Sequence, residues 1–322
     1  MAFAEFDRWL AHNLPTNILK DFYPRAMRRL TEYGLIGGRY VRETKYGFRM
    51  NVDRLDALNW YLHYYGEWEP QISAAFQTLI SPGDTVIDIG GNVGYSALLA
   101  ATLTGPDGRV VSAEPCSETL RHFTANLGLN PDLSVEVLKA AIGSEAGQAE
   151  LFTWGSNEMG QASLVRHQSA VGSEKVEVVS FADLLGRVDP ATVSIIKVDV
   201  EGVEDDVVRA IAAAAHLLPS HCAIFIEVNR AFDATDLLAP LLARGFQARR
   251  IGNQYTPQFY LEDGAPRLAD VARGMGQLQD TILSRAPDVF SRLAAIGSSQ
   301  KAAIRQPLTP PSQPVRQATA HR

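Results

Sequence analysis

The sequence contains few of the features that mark several large classes of protein. Two cysteines in 322 residues are too few for a disulfide framework or a cysteine-based zinc cluster. No apolar run approaches the ~18 residues of a membrane span, and the charged first turns do not resemble a secretory signal. With 36 acidic and 30 basic residues, the chain lacks the positive excess typical of nucleic-acid-binding proteins. We therefore expect a cytoplasmic protein with no membrane span and no nucleic-acid partner.

Strand and helix patterns alternate through the middle of the chain. Short apolar runs predict strands at residues 85–89, 109–113, 134–140, 193–198 and 223–228. Apolar residues at helical spacing lie between them, at 117–127 and 203–217, and a further helix is predicted at 234–244. Such alternation predicts an α/β fold, with a mainly parallel sheet covered by helices on both faces.

The rest of the chain differs from this core in composition. We expect a helical and aromatic cap over residues 1–67, with a short hairpin at 40–52. A ligand-binding domain then covers 68–262 and closes with a hairpin formed by 246–251 and 258–261. A helical appendix is predicted over 263–296. Residues 297–322 are polar and proline-rich, which predicts a disordered tail.

A glycine-rich turn follows the first predicted core strand. The run Asp88-Ile-Gly90-Gly91-Asn92-Val-Gly94 leads directly into a helical pattern. Glycines allow a tight turn and a close approach of the backbone to a ligand, and the helix N-terminus offers free N–H groups. The spacing differs from the dinucleotide fingerprint G-x-G-x-x-G. An NAD-linked Rossmann oxidoreductase is therefore a weaker alternative for this turn.

Acidic residues stand at the carboxyl ends of four predicted strands: Asp88, Glu114, Asp199 and Glu227. Ligands of open α/β sheets bind at these ends, and Glu114 is placed to accept hydrogen bonds from ribose hydroxyls. Four acids around one crevice suit a sulfonium cation better than a pyrophosphate. Asp199, Glu201 and Glu227 could also supply oxygen ligands for magnesium. No spacing specifies such a site, however, and we predict no metal.

Several short motifs occur in an order that resembles the FkbM-type S-adenosylmethionine (SAM)-dependent methyltransferases. They are Gly66-Glu-Trp-Glu-Pro70, the glycine turn, Glu114-Pro115, Ala140-Ala-Ile-Gly143 and Lys197-Val-Asp-Val-Glu-Gly202. The resemblance covers about residues 60–250. It implies a Rossmann-like class I methyltransferase fold, SAM as cofactor, and O-methylation of a hydroxyl on a sugar, polyketide or other small molecule. Residues 68–262 would be the SAM-binding domain.

The resemblance also implies roles for particular residues. The cofactor-binding set would be Asp88, Gly90, Asn92 and Gly94 on the methionine side, Glu114 at the ribose and Ala141 near the adenine. Asp199 and Glu201 would lie beside the transferred methyl group, where one could act as general base or only orient the acceptor.

His63 is a further candidate base, because its aromatic segment could cover the site. A packing role is the favoured alternative for this histidine. A non-catalytic SAM- or nucleotide-binding interaction module is the remaining alternative for the whole chain. Such a module need not keep both Asp199 and Glu201, so we favour an enzyme.

Overall fold

The computed structural model describes residues 2–14, 17–154, 162–166, 170–262, 266–275 and 278–299. The strands in these ranges are β1 (Arg39–Glu43), β2 (Arg49–Asp53), β3 (Thr85–Ile89), β4 (Arg109–Ala113), β5 (Glu136–Leu138), β6 (Ala141–Gly143), β7 (Gly147–Thr153), β8 (Ala162–Ser163), β9 (Gly172–Ser180), β10 (Val193–Val198), β11 (Ala223–Val228), β12 (Gln247–Ile251), β13 (Leu268–Ala269) and β14 (Gln279–Ser284). The helices are α1 (Ala2–Asn13), α2 (Asn17–Glu32), α3 (Ala57–Tyr65), α4 (Pro70–Leu79), α5 (Tyr95–Thr104), α6 (Ser117–Gly128), α7 (Phe181–Leu185), α8 (Glu204–Ala214), α9 (Ala234–Leu242), α10 (Pro257–Glu262) and α11 (Pro287–Ser299).

The central sheet has the strand order β13-β12-β14-β11-β10-β3-β4-β5. Strands β11, β10, β3, β4 and β5 run parallel to one another, whereas β14 is antiparallel to both of its neighbours. This confirms the predicted mainly parallel sheet. From β3 the chain winds outward to β4 and β5, then returns to β10 on the other side of β3. Ligands of such sheets bind where the winding direction reverses, here beyond the ends of β3 and β10.

Helices cover both faces of this sheet, as predicted. Alternate residues of β3 separate onto the two faces, with Ile87 and Ile89 in one apolar cluster and Val86 in the other. The first cluster includes buried residues of α7, α8 and α9, and the second includes those of α4, α5 and α11. Because the strand is buried on both sides, apolar residues occupy successive positions in its sequence and do not only alternate with polar ones.

The N-terminal segment contains helices and the predicted hairpin. Strands β1 and β2 pair antiparallel, from Arg39 opposite Asp53 to Glu43 opposite Arg49. Two asparagines of the core attach this hairpin: Asn126 Oδ1 accepts the N–H of Asn51 at 2.9 Å, and Asn130 Oδ1 accepts that of Arg49 at 2.7 Å. These bonds join the hairpin to helix α6 and to the residues that follow it.

The hairpin predicted from residues 246–251 and 258–261 is wrong in its second half. Residues 247–251 do form β12, but Pro257–Glu262 is the short helix α10. Its Phe259 and Tyr260 are buried against the aromatic side chains of α3, and the Tyr260 ring stacks on Tyr61 at 4.6 Å between centroids. This aromatic packing determines the local conformation of the segment, which alternation alone could not reveal.

The helical appendix predicted for 263–296 is also wrong. Residues 279–284 form strand β14, which inserts between β11 and β12 and completes the sheet beyond residue 262. Ile282 and Leu283 lie on opposite faces and both are fully buried. Only the later part of the segment is helical, since α11 covers Pro287–Ser299.

Two further boundaries differ from the sequence expectation. The third predicted strand, 134–140, is the shorter β5, and β6 then belongs to a separate sheet with order β6-β9-β7-β8. The predicted tail begins inside helix α11, and residues 300–322 lie outside the described part of the chain. Within the described ranges, no helix is both long and apolar enough to cross a membrane.

Candidate active site

The glycine turn is shaped by neighbouring parts of the protein itself. Gly90 has φ +88°, and a Cβ added there would lie 1.8 Å from the carbonyl oxygen of Asp199. Gly94 has φ +90°, and its Cβ would lie 2.4 Å from the ring of Phe123. Both positions lie in the left-handed region that glycine adopts without steric cost. The glycines therefore let the ends of β3, β10 and helix α6 approach one another.

Glu114 follows β4 and is tied to the glycine turn. Its Oε2 accepts the backbone N–H of Asn92 at 2.9 Å, and its Oε1 accepts that of Cys116 at 2.8 Å. Burial raises the pKa of Glu114 to about 7, although these two bonds oppose the shift. Each oxygen keeps accepting capacity beyond its amide partner. The carboxylate can therefore receive hydroxyl groups from a ligand at this position.

A cavity of about 530 Å³ opens at the switch point of the sheet. Its walls carry six carboxylates: Asp56, Glu69, Glu114, Asp199, Glu201 and Glu227. Among the described residues that line it, Arg28 is the only lysine or arginine, and its guanidinium contacts Glu32 at 3.3 Å. The cavity is therefore strongly acidic and large enough for a nucleoside ligand together with a small second molecule.

The structure brings most of the predicted site residues to this cavity. Its lining includes Gly90, Asn92, Glu114, Ala141, Asp199 and Glu201. Asp88 and Gly94 are not among the lining residues. Asp88 is 1% exposed, and its carboxylate accepts a hydrogen bond from the Ser112 hydroxyl at 2.8 Å. This contact joins the end of β3 to the neighbouring strand β4.

Asp199 and Glu201 both line the cavity but have different partners. The Lys197 ammonium contacts Asp199 Oδ2 at 2.6 Å, and the Asp199 N–H donates to the carbonyl of Ile89. Burial would raise the pKa of Asp199, but Lys197 and a hydrogen bond from Glu227 lower it overall. Burial also opposes the charge on Lys197, yet the surrounding carboxylates raise its pKa. The pair is thus an ion pair in the cavity wall.

Glu201 lies farther out and is exposed. Its Oε2 accepts the side-chain N–H of Asn229 at 2.7 Å. Partial burial and the nearby Asp199 raise the pKa of Glu201, and the Asn229 bond only partly opposes them. The carboxylate of Glu201 is therefore more basic than that of Asp199.

Three carboxyl groups crowd together at one side of the cavity: Glu69 and Glu227, which line it, and the neighbouring Asp280, which does not. The charge on Asp199, followed by burial, raises the pKa of Glu227. Burial and then Asp280 raise the pKa of Glu69, and burial raises the pKa of Asp280. Without a counter-ion, these groups retain protons at a higher pH than ordinary carboxyl groups.

The structure does not bring His63 to the cavity. Its side chain is fully buried, with Nε2 at 3.0 Å from Asp7 Oδ2 and Nδ1 bonded to the Tyr40 hydroxyl. Arg54 also contacts Asp7, at 3.1 Å. Burial lowers the pKa of His63 to about 4, so it is neutral near pH 7. Its contacts are those of a packed histidine that joins α3 to α1 and β1.

Sequence reasoning missed several residues of the cavity wall. Glu69 precedes α4 and reads as a helix cap, but its side chain makes no cap bond and its φ is +45°. Instead it accepts the hydroxyl of Tyr255 at 2.8 Å. The Tyr255 ring stacks on Trp68 at 5.2 Å. From the sequence, Glu69 was recognised only as part of the motif Gly66-Glu-Trp-Glu-Pro70, and no local pattern places Tyr255 beside it.

The residues of this cavity fit SAM. Glu114 stands where a ribose is held, and buried Asn92 Oδ1 has no partner among the described residues. An orphaned buried polar atom facing a cavity is the expected counterpart of a ligand donor. Six carboxylates match a ligand that carries a sulfonium and an ammonium group.

The strand order and the acidic cavity at its switch point are those of a Rossmann-like α/β protein that binds its ligand at the strand ends. The family model described as "Methyltransferase FkbM domain" matches residues 88–248, half of the chain. The chain belongs to this family, which confirms the resemblance seen in the sequence, and its cofactor is SAM. The assignment favours a methyltransferase over an NAD-linked oxidoreductase or a binding module.

Other known proteins are similar over different lengths. An arsenite methyltransferase of Halobacterium salinarum is 34% identical over 64 residues, which span 20% of this chain and only 16% of that enzyme. The structure of Aeropyrum pernix fibrillarin with bound SAM is 12% identical, with a TM-score of 0.39 and coverage of 77% of this chain and 94% of that one. A precorrin-6Y C5,15-methyltransferase from Geobacter metallireducens is also 12% identical, with a TM-score of 0.39 and coverage of 66% and 86%.

Proposed function

We propose that this methyltransferase transfers the methyl group of SAM to a hydroxyl group of a small molecule, such as a sugar, polyketide or similar metabolite. The observation that carries the proposal is the position of Glu201, an accessible carboxylate in the wall of the cavity. SAM supplies an electrophilic methyl group when bound. A hydroxyl acceptor must lose a proton as it reacts, and a positioned base accelerates that loss.

Glu201 is better suited to the role of base than Asp199. The ammonium of Lys197 contacts the Asp199 carboxylate at 2.6 Å. This contact stabilises the charged form of Asp199 and reduces the affinity of Asp199 for a proton. Glu201 has the neutral amide of Asn229 as its hydrogen-bond donor. We assign Glu201 to the acceptor hydroxyl and Asp199 to the positive charge near the methyl group. Alignment of the two reactants then supplies much of the rate.

The size and charge of the cavity support a small acceptor. Its volume of about 530 Å³ is within the range of small-molecule sites. Acidic walls repel a phosphodiester backbone, so they disfavour DNA or RNA as acceptor. The stacked rings of Trp68 and Tyr255 offer an apolar surface next to the carboxylates. Sugars and polyketides combine hydroxyl groups with such apolar faces.

The test is a methyl-transfer screen with labelled SAM against hydroxylated metabolites and glycans, with amines as a parallel panel. On an acceptor found in this way, Glu201→Gln should keep SAM affinity and lose about 100-fold or more in turnover, because the amide cannot take a proton. Asp199→Asn should instead weaken SAM binding.

A matched control is Asp205→Asn, which removes an exposed carboxylate of the next helix that contacts Arg209 and does not line the cavity. It should behave like the wild type. Wild-type turnover by Glu201→Gln would remove this residue as the base. Methylation of amines alone would overturn the O-methyltransferase assignment.

A further inference from the structure

Three carboxylates from separate elements meet beside the cofactor cavity. Glu69 precedes α4, Glu227 lies on β11 and Asp280 lies on β14, and one oxygen from each is within 4.8 Å of the others. We propose that these three side chains hold a divalent cation, with the side-chain oxygen of Gln71 as a fourth ligand. The inference concerns binding alone and does not depend on the identity of the methyl acceptor.

The oxygens are close enough together to share a single hard cation. Two oxygens on opposite sides of a calcium ion lie about 4.8 Å apart, since each Ca–O distance is about 2.4 Å, and no pair in this set is wider than that. A cavity of about 10 Å³ lies between the carboxylates, and Lys197 and Thr281 also line it. A space of this size accommodates one water or one ion.

Among the described residues that line the small cavity, Lys197 is the one cationic side chain, against four carboxyl groups. Glu227 and Asp280 are directly opposite each other in the antiparallel register of β11 and β14. If both groups were ionised, their like charges would destabilise the sheet. The nearby ammonium of Lys197 contacts Asp199 at 2.6 Å, so it already compensates a fourth carboxylate. A cation between Glu69, Glu227 and Asp280 would offset the remaining repulsion.

Gln71 provides an independent observation that points to a ligand. Its side chain is 0% exposed, and Nε2 donates to Asp280 Oδ2 at 3.4 Å. Its Oε1 is buried and has no partner among the described residues. Such an atom costs free energy unless a donor or a cation reaches it. The Nε2 of the same amide contacts Asp280, so this oxygen is separated by one amide group from a carboxylate of the cluster.

Neighbouring groups already orient the carboxylates. The Tyr255 hydroxyl donates to Glu69 Oε1 at 2.8 Å, and the Gln71 amide contacts Asp280. Metal ligands are commonly held by hydrogen bonds of this kind. Glu69 and Glu227 also line the cofactor cavity, so a bound cation would fix the wall that faces SAM.

The experiment uses the full chain, stripped with a chelator and free of SAM. Titration with Mn²⁺, followed by the electron paramagnetic resonance signal of the free ion, should reveal one bound ion per chain. Mg²⁺ and Ca²⁺ should compete for it, with dissociation constants at or below about 1 mM. Asp280→Asn should weaken Mn²⁺ binding at least about tenfold, and Gln71→Leu should weaken it by a smaller factor.

Glu118→Gln is the control, because it removes an exposed carboxylate on α6 that does not line either cavity. It should bind Mn²⁺ like the wild type. Absence of stoichiometric binding to the wild type would overturn the proposal without reference to any variant. Unchanged binding by a folded Asp280→Asn protein would overturn it as well, because the ion would then lie elsewhere.

Discussion

Replacement of Glu114 by glutamine tests the cofactor site most directly. Both carboxylate oxygens already accept backbone N–H groups, at 2.8 and 2.9 Å, and both retain capacity for ribose hydroxyls. In Glu114→Gln one oxygen becomes an NH₂ group and the charge disappears. A hydrogen bond to a charged acceptor contributes about 1.5–3 kcal/mol. We therefore expect the dissociation constant for SAM to rise by about 10- to 150-fold in titration calorimetry.

The pH dependence supplies a second measurement on the same residue. Burial raises the pKa of Glu114 to about 7, so the carboxylate form predominates only above that pH. The ionised fraction rises from about one-tenth at pH 6 to about nine-tenths at pH 8. SAM affinity of the wild type should therefore increase by up to about tenfold across this range. In Glu114→Gln this part of the pH dependence should vanish, which separates it from the titration of SAM itself.

A neighbouring glutamate serves as the matched control. Glu174 lies on β9 and accepts the backbone N–H of Ser117, the first residue of α6, at 2.8 Å. Ser117 is three residues after Glu114 in the chain, and Glu174 does not line the cavity. Glu174→Gln disturbs a similar backbone bond and should leave SAM affinity unchanged. Wild-type affinity and an unaltered pH profile in Glu114→Gln would refute the assignment of Glu114 to the ribose.

Two predictions concern the stability of the fold. Gly90→Ala should lower the free energy of unfolding, measured with denaturant, by about 2–5 kcal/mol. The backbone strain at φ +88° adds to the clash between the new Cβ and a carbonyl oxygen 1.8 Å away. Gly83 has φ +89° and no neighbour within 4 Å of an added Cβ, so Gly83→Ala should lower the free energy of unfolding by only about 1–2 kcal/mol. Equal losses of stability in the two variants would contradict the packing argument. Truncation after Ser299 should leave SAM binding and the melting temperature unchanged. Truncation after Ala286 removes helix α11 and its buried side chains, so it should lower the free energy of unfolding by more than about 3 kcal/mol. A stable product would show that the fold does not need α11.

The elements that sequence reasoning predicted well are those buried on both faces. Strands β3 and β10 carry apolar residues on both faces because helices cover both sides of the sheet, and such apolar-rich segments are recognisable without a partner. Strand β14 escaped recognition because its inward-facing positions include Gln279, Thr281 and Ser284, whose burial depends on distant partners. Thr281, for example, donates its hydroxyl to the carbonyl of Ile226 on the neighbouring strand.

The part of the candidate site that directly follows recognisable strands was predictable from the sequence. The glycine turn, Glu114 and the pair Asp199 and Glu201 each follow a recognisable strand, and strand ends converge in a parallel sheet. Of the three carboxylates that meet through the tertiary fold, Glu227 was predicted at a strand end, whereas Glu69 and Asp280 were not. Asp280 reaches the cluster only because β14 pairs with β11, and no local pattern encodes that pairing.

The position of β14 also has a consequence for biosynthesis. During translation, β11 emerges with one open edge, and its native neighbour on that edge is not complete until residue 284 has been made. Strand β12 emerges earlier than β14 and runs parallel to β11 in the finished sheet. If β12 paired with the open edge of β11, a parallel strand would stand where the native sheet has the antiparallel β14. Exposed strand edges promote such mispairing and aggregation. The edge of β11 is therefore exposed to this mispairing until β14 has been made.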